Sequence, residues 1–103
     1  MRKFLQLGSM DAVKLVKEEL GLNALRETCE SYLLVCGEQE VTPGDLGVED
    51  FSECNLREGD EVVVMSMMLE DERAVSILYD HEYVYSIVVT NEEGEQELVK
   101  KLD

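Results

Sequence analysis

A chain of 103 residues, 45% of them apolar, is sized for one domain with a modest core and no large internal substrate cavity. Its formal charge of -15, from 24 acidic against 9 basic residues, excludes direct binding to nucleic acid, because gripping phosphates takes cations. No run reaches the roughly 18 apolar residues of a membrane helix, and MRKFLQLGSMD is too poor in apolar residues for a secretory leader, so a soluble cytoplasmic protein is expected.

In chain order, Lys3 to Leu7 is a short β-compatible run that Gly8 breaks. Ser9 then suits a helix N-cap, with Asp11 in the first turn where a negative charge favours the helix dipole. Val13, Val16 and Leu20 recur on one helical face, and Gly21 is placed to close the helix. In LNALRETCESYLLVCG two periods compete. The rise in aromatic and β-branched content predicts a short helix from about Ala24 to Glu30, then a strand from Tyr32 to Cys36.

Gly37 to Asn55 contains the only proline, Pro43, with Gly44 and Gly47 close behind. It reads as a loop with at most one helical turn near Val48 to Phe51. Asp45, Glu49 and Asp50 lack the alternating ligand spacing of a calcium loop.

The run VVVMSMML, Val62 to Leu69, is apolar on both faces. Val63, Met65, Met67 and Leu69 point one way, and Val62, Val64, Ser66 and Met68 the other. Such a strand belongs inside a sheet covered on both sides, or on a face that another molecule covers. Its three methionines suit core filling better than docking. Ala74 to Tyr79, Tyr83 to Thr90 and Glu95 to Leu102 complete an antiparallel meander, with Tyr83, Tyr85, Ile87 and Val89 forming one stripe. The expected fold class is α+β: a single domain, 1–103, with an N-terminal strand and one or two helices packed on a mainly antiparallel sheet.

The residues offer no catalytic constellation. His81 between Asp80 and Glu82 sits at a turn tip, where a general base would lack a shielded pocket and a nucleophile. Cys29, Cys36 and Cys54 have neither a zinc knuckle nor a disulfide framework, which suits reduced thiols in an intracellular chain. The seven glycines form no phosphate-cradling motif. No enzyme activity, cofactor or metal is expected. LREGDEVVV, Leu56 to Val64, resembles turn-and-strand phrases of swapped-hairpin transcription factors of the AbrB type. The flanking strands here lack the basic residues of the DNA-binding members, so no function is carried across.

Charge is the informative property. Between Glu27 and Val99 there are 20 acidic residues and two basic ones, Arg57 and Arg73, a net of -18. Solubility needs a net magnitude of only about 2 to 8. At one phosphate per ~1.7 Å of duplex axis, eighteen negative charges correspond to about nine base pairs. Turns lie at the ends of a sheet, so acids in turns should concentrate on its rims. The expected function is therefore that of a non-enzymatic inhibitor acting as a DNA mimic, filling the groove of a basic nucleic-acid-binding protein. Its contact acids would be Glu58, Asp60, Glu61, Glu70, Asp71, Glu72, Asp80, Glu82, Glu92 and Glu93. In size, charge and lack of catalytic motifs the chain resembles phage-encoded inhibitors of host defence, such as anti-CRISPR and anti-restriction proteins, and nuclease-neutralising immunity proteins. That resemblance is one of composition, and it implies a CRISPR effector, restriction enzyme or nuclease as partner. The alternative is an adaptor domain, including a homo-oligomer, that associates through apolar β surface around Val62 to Leu69, with acidity only for solubility.

Overall fold

The computed structural model describes residues 7–37, 40–80 and 82–102. Helix α1, Ser9–Leu20, turns Ala12, Leu15 and Val16 fully inward, with Val13 and Leu20 at the margins of that face. Burying a Leu or Val side chain contributes about 1.5–3 kcal/mol. For a helix this short, that burial matters more than intrinsic propensity. The N-cap is Gly8 rather than the expected Ser9: having no side chain, Gly8 is held by Asp11, whose carboxylate accepts its N–H at 3.2 Å. Gly21 ends the helix in the left-handed conformation, as its position suggested.

Five strands follow: β1, Ala24–Val35; β2, Glu61–Leu69; β3, Ala74–Tyr79; β4, Val84–Thr90; β5, Gln96–Lys101. They form one antiparallel sheet in the order β1-β2-β3-β4-β5, so the expected α+β fold and meander are present. The expected strand at Lys3 to Leu7 lies, apart from the buried Leu7, outside the described residues.

The predicted helix from Ala24 to Glu30 is replaced by the first half of β1. Leu25 pairs with Met68 and Glu30 with Ser66, so the residues between them bulge from the ladder. Thr28 holds the bulge, its hydroxyl donating to the Leu25 carbonyl at 2.6 Å and accepting the Met68 N–H at 2.8 Å. The bulge lets Leu22, Ala24 and Cys29 all reach the helix-side core, which explains the helix-like spacing of apolar residues.

The segment from Gly37 to Asn55 is also more ordered than a loop. It contains two 3-10 turns, Pro43–Leu46 and Phe51–Cys54, each opened by a reciprocal cap, Thr42 with Asp45 and Asp50 with Glu53. These turns drive Val41, Leu46, Phe51, Cys54 and Leu56 onto the sheet face opposite α1. The sheet is thus covered twice, and β2 supplies both cores: Met65, Met67 and Leu69 toward the helix, Val62 and Val64 toward the turns. That accounts for a strand apolar on both faces.

The expected stripe of β4 is split. Leu78 faces Ser86 while Tyr79 faces Val84, leaving Tyr85 as an extra residue. Beyond this bulge the alternation changes phase, so Tyr83 and Tyr85 pack on the turn side while Ile87 and Val89 pack on the helix side. Ser86, fully buried, donates its hydroxyl to the Asp45 carbonyl at 2.7 Å and ties the first 3-10 turn to the sheet.

Candidate partner-binding site

The meander sends its connections alternately to the two ends of the sheet. Glu70, Asp71 and Glu72 on the β2–β3 turn share one end with Glu92 and Glu93 on the β4–β5 turn. Glu58, Asp60 and Glu61 at the start of β2 share the other with Asp80 and Glu82 between β3 and β4. The ten acids therefore form two clusters. At about 3.3–3.4 Å per residue, the six residues of β3 hold these rims about 20 Å apart. Lys14 and Lys17 are exposed on α1, and Arg57 is exposed beside Glu58 on the second rim.

Within each cluster, aspartates and glutamates do different work. Asp60 accepts the Arg57 N–H at 2.9 Å, Asp71 is bonded to Arg73, and Asp80 accepts the N–H groups of Glu82 and Tyr83 and the phenol of Tyr85. The short aspartate side chain reaches its own turn backbone, whereas a glutamate one methylene longer extends past it. Glu58, Glu61, Glu70, Glu72, Glu82, Glu92 and Glu93 are all exposed. Asp71 is exposed as well, so eight of the ten rim carboxylates lie at the surface.

The first rim is crowded enough to alter ionisation. A hydrogen bond to the Glu72 carboxylate, and then that residue's charge, hold the Glu92 carboxyl above the usual carboxylate range. Hydrogen bonding by the Arg73 guanidinium, which also contacts Glu97 at 3.2 Å, holds Asp71 below it. Arg73 thus neutralises part of this rim, while Arg57 at the other end is exposed. The second rim borders an open cleft of about 520 Å³ lined by Asp60, Glu61, Asp80 and Glu82 together with Tyr83 and Tyr85.

The apolar run that suggested an association surface is largely inside the protein: Val62, Val64, Met65, Met67 and Leu69 are buried, and Met68 is the exposed member. Other exposed apolar side chains are Tyr32, Leu33 and Val35 grouped on β1, with Met10 on α1 and Leu98 on β5 standing singly. The β1 stretch was expected to be a strand from Tyr32 to Cys36, and what the sequence did not show is that this strand is an edge. Of Asp45, Glu49 and Asp50, which lacked the spacing of a calcium loop, Asp45 and Asp50 take part in the caps of the 3-10 turns.

Cys36 and Cys54 are buried in the turn-side core and Cys29 is half-buried. Burial, followed by the charges of Asp60 and Cys54, raises the Cys36 thiol pKa. His81 lies outside the described residues. Among the described residues no group of three or more His, Cys, Asp or Glu side chains is arranged to hold a metal ion, and no helix is long and apolar enough to cross a membrane. Compared with protein-family models, curated proteins and solved structures, the chain matches none.

Proposed function

We propose that this chain is a non-enzymatic acidic inhibitor that presents its rim glutamates to the cationic nucleic-acid groove of a protein partner, in place of the polynucleotide. The observation that carries this reading is the placement of seven exposed glutamates on two rims about 20 Å apart, at the ends of a sheet covered on both faces. That span equals the rise of about six base pairs at 3.4 Å each. A mimic gains from charges fixed before binding, and a doubly covered sheet supplies such a mount. A CRISPR effector, a restriction enzyme or a nuclease has the required groove, and the inhibitor would meet it in the cytoplasm.

The experiment is capture from lysate on the immobilised chain at low salt, elution in a salt gradient, and competition with duplex DNA. The partner should elute as salt screens the carboxylates and should be displaced by DNA. Reversing Glu70, Asp71 and Glu72 together to lysine should weaken capture by about tenfold or more, since close charge pairs across interfaces couple by over 1.4 kcal/mol. A partner retained in molar sodium chloride, or indifferent to DNA, would refute the reading.

A further inference from the structure

The two edges of the sheet are built differently. β5, QELVKK, is studded with charge, the usual protection of an exposed edge. β1 ends in SYLLV, five residues without a charge, of which Leu33 is 63% and Tyr32 45% exposed. An unprotected apolar edge invites another strand.

Hydrogen bonding fixes which groups face outward. Cys36 donates to the Asp60 carbonyl at 2.8 Å and accepts from Gly59 at 2.9 Å, so it faces β2. Antiparallel alternation then turns Leu34 and Tyr32 inward as well, and Val35, Leu33 and Ser31 outward. Val35 is already engaged, its N–H by the Glu40 carboxylate at 2.7 Å and its carbonyl by the Val41 N–H at 3.3 Å. Among the described residues no backbone bond reaches the outer side of Ser31 or Leu33.

Charge selects the occupant. Glu27 and Glu30 lie on β1 itself, Glu40 is bonded to Val35, and the one cation of β1, Arg26, is tied to the Ser9 hydroxyl at 3.3 Å. A second copy would bring another net -15 and set like charges against these glutamates. We infer that the outer edge of β1 at Ser31 to Leu33 docks one extended, cationic segment of the protein partner as a sixth strand, with Leu33 and Tyr32 contacting its alternate side chains. This rests on the reading above that the partner is basic, and adds a contact independent of the rims.

The probe is a capped decapeptide of alternating Lys and Val, with alternating Glu and Val as control, titrated into the isotope-labelled full chain. The cationic peptide should shift the amide resonances of Ser31 and Leu33 and slow their hydrogen exchange, and the anionic one should not. Leu33→Pro removes an N–H that points away from β2, which an edge strand tolerates, and should weaken binding about tenfold. Leu33→Lys, which repels the probe without altering the backbone, should give the same loss should the proline variant fail to fold.

Shifts confined to the rim glutamates, equal binding of both peptides, or Ser31 and Leu33 amides already protected in the free chain would overturn the inference. So would sedimentation as a dimer that Leu33→Lys dissolves, the signature of a second copy. Lysine reversal at Glu70, Asp71 and Glu72 should leave peptide binding unchanged while weakening DNA-competed capture. No peptide response in the unmodified chain therefore sinks the docking edge alone, and no DNA-competed capture by the unmodified chain sinks the mimic alone.

Discussion

The phenol of Tyr85 donates to the carboxylate of Asp80, and that carboxylate also accepts the backbone N–H groups of Glu82 and Tyr83 at 2.7 and 2.9 Å. One side chain thereby fixes both the β3–β4 connection and the bulged residue that follows it. Asp80→Ala leaves those donors short of a partner and should lower unfolding free energy by about 2–3 kcal/mol, against about 1 kcal/mol for Tyr85→Phe. A urea-denaturation double-mutant cycle should find the two coupled, since they share one hydrogen bond. Additive effects would mean that the contact does not hold the turn.

Alkaline pH acts on the same pair. Burial first, and then the hydrogen bond and charge of Asp80, hold the Tyr85 phenol far above its ordinary value of 10.0. A group whose pKa is raised on folding contributes stability that is complete below its unfolded value and is lost as pH climbs from there toward the folded value. Thermal midpoints should therefore fall from about pH 10 upward, and Tyr85→Phe should flatten that fall. Tyr79, also raised chiefly by burial, accounts for part of the remaining slope. An unchanged slope in Tyr85→Phe would place the loss elsewhere.

Gly47 and Gly21 have nearly the same backbone angle, φ 73° and 69°, but different surroundings. A Cβ on Gly47 would lie 3.1 Å from the Lys101 Cβ, whereas one on Gly21 meets nothing within 4 Å. Gly21→Asn should cost little beyond about 1 kcal/mol, since asparagine visits this conformation readily. Gly47→Asn adds a clash between the first 3-10 turn and β5, and should cost at least twice as much. Equal midpoints in denaturant would contradict the close approach.

Glu72 is a non-glycine residue at φ 75°, on the more crowded rim. Glu72→Gly relieves that backbone conformation and removes the carboxylate beside Glu92. It should raise Tm by about 4 °C and return Glu92 toward the ordinary carboxylate range, read by a side-chain titration followed by NMR. In the captured complex it should weaken binding, because the residue helps to form the proposed contact surface. A variant that gains stability and also binds more tightly would argue against this rim.

The C-terminal half of the fold was legible because its β-branched and aromatic runs are separated by turns rich in Asp, Asn and Gly, although the bulge at Tyr85 shifted the phase of β4. Ala74 to Tyr79 formed with the expected bounds. The second half of β1 was legible as the strand expected from Tyr32, but its first half was not, because a bulge gives the apolar residues there a spacing that one-dimensional reading assigns to a helix. The caps at Thr42 with Asp45 and Asp50 with Glu53 stood in the sequence as capping-box spacings within a stretch read as loop.

Composition by itself determined the acidity, and local pattern determined that acids would gather at the ends of strands, since turns favour carboxylates and strands exclude them. Tertiary structure alone decided that the pairing order of the strands would gather those acids into two rims at opposite ends of one sheet. It also decided that the apolar strand β2 is interior while β1 is an edge. Which strand is central depends on pairing order and on what covers each face, both set by contacts between residues far apart in the chain.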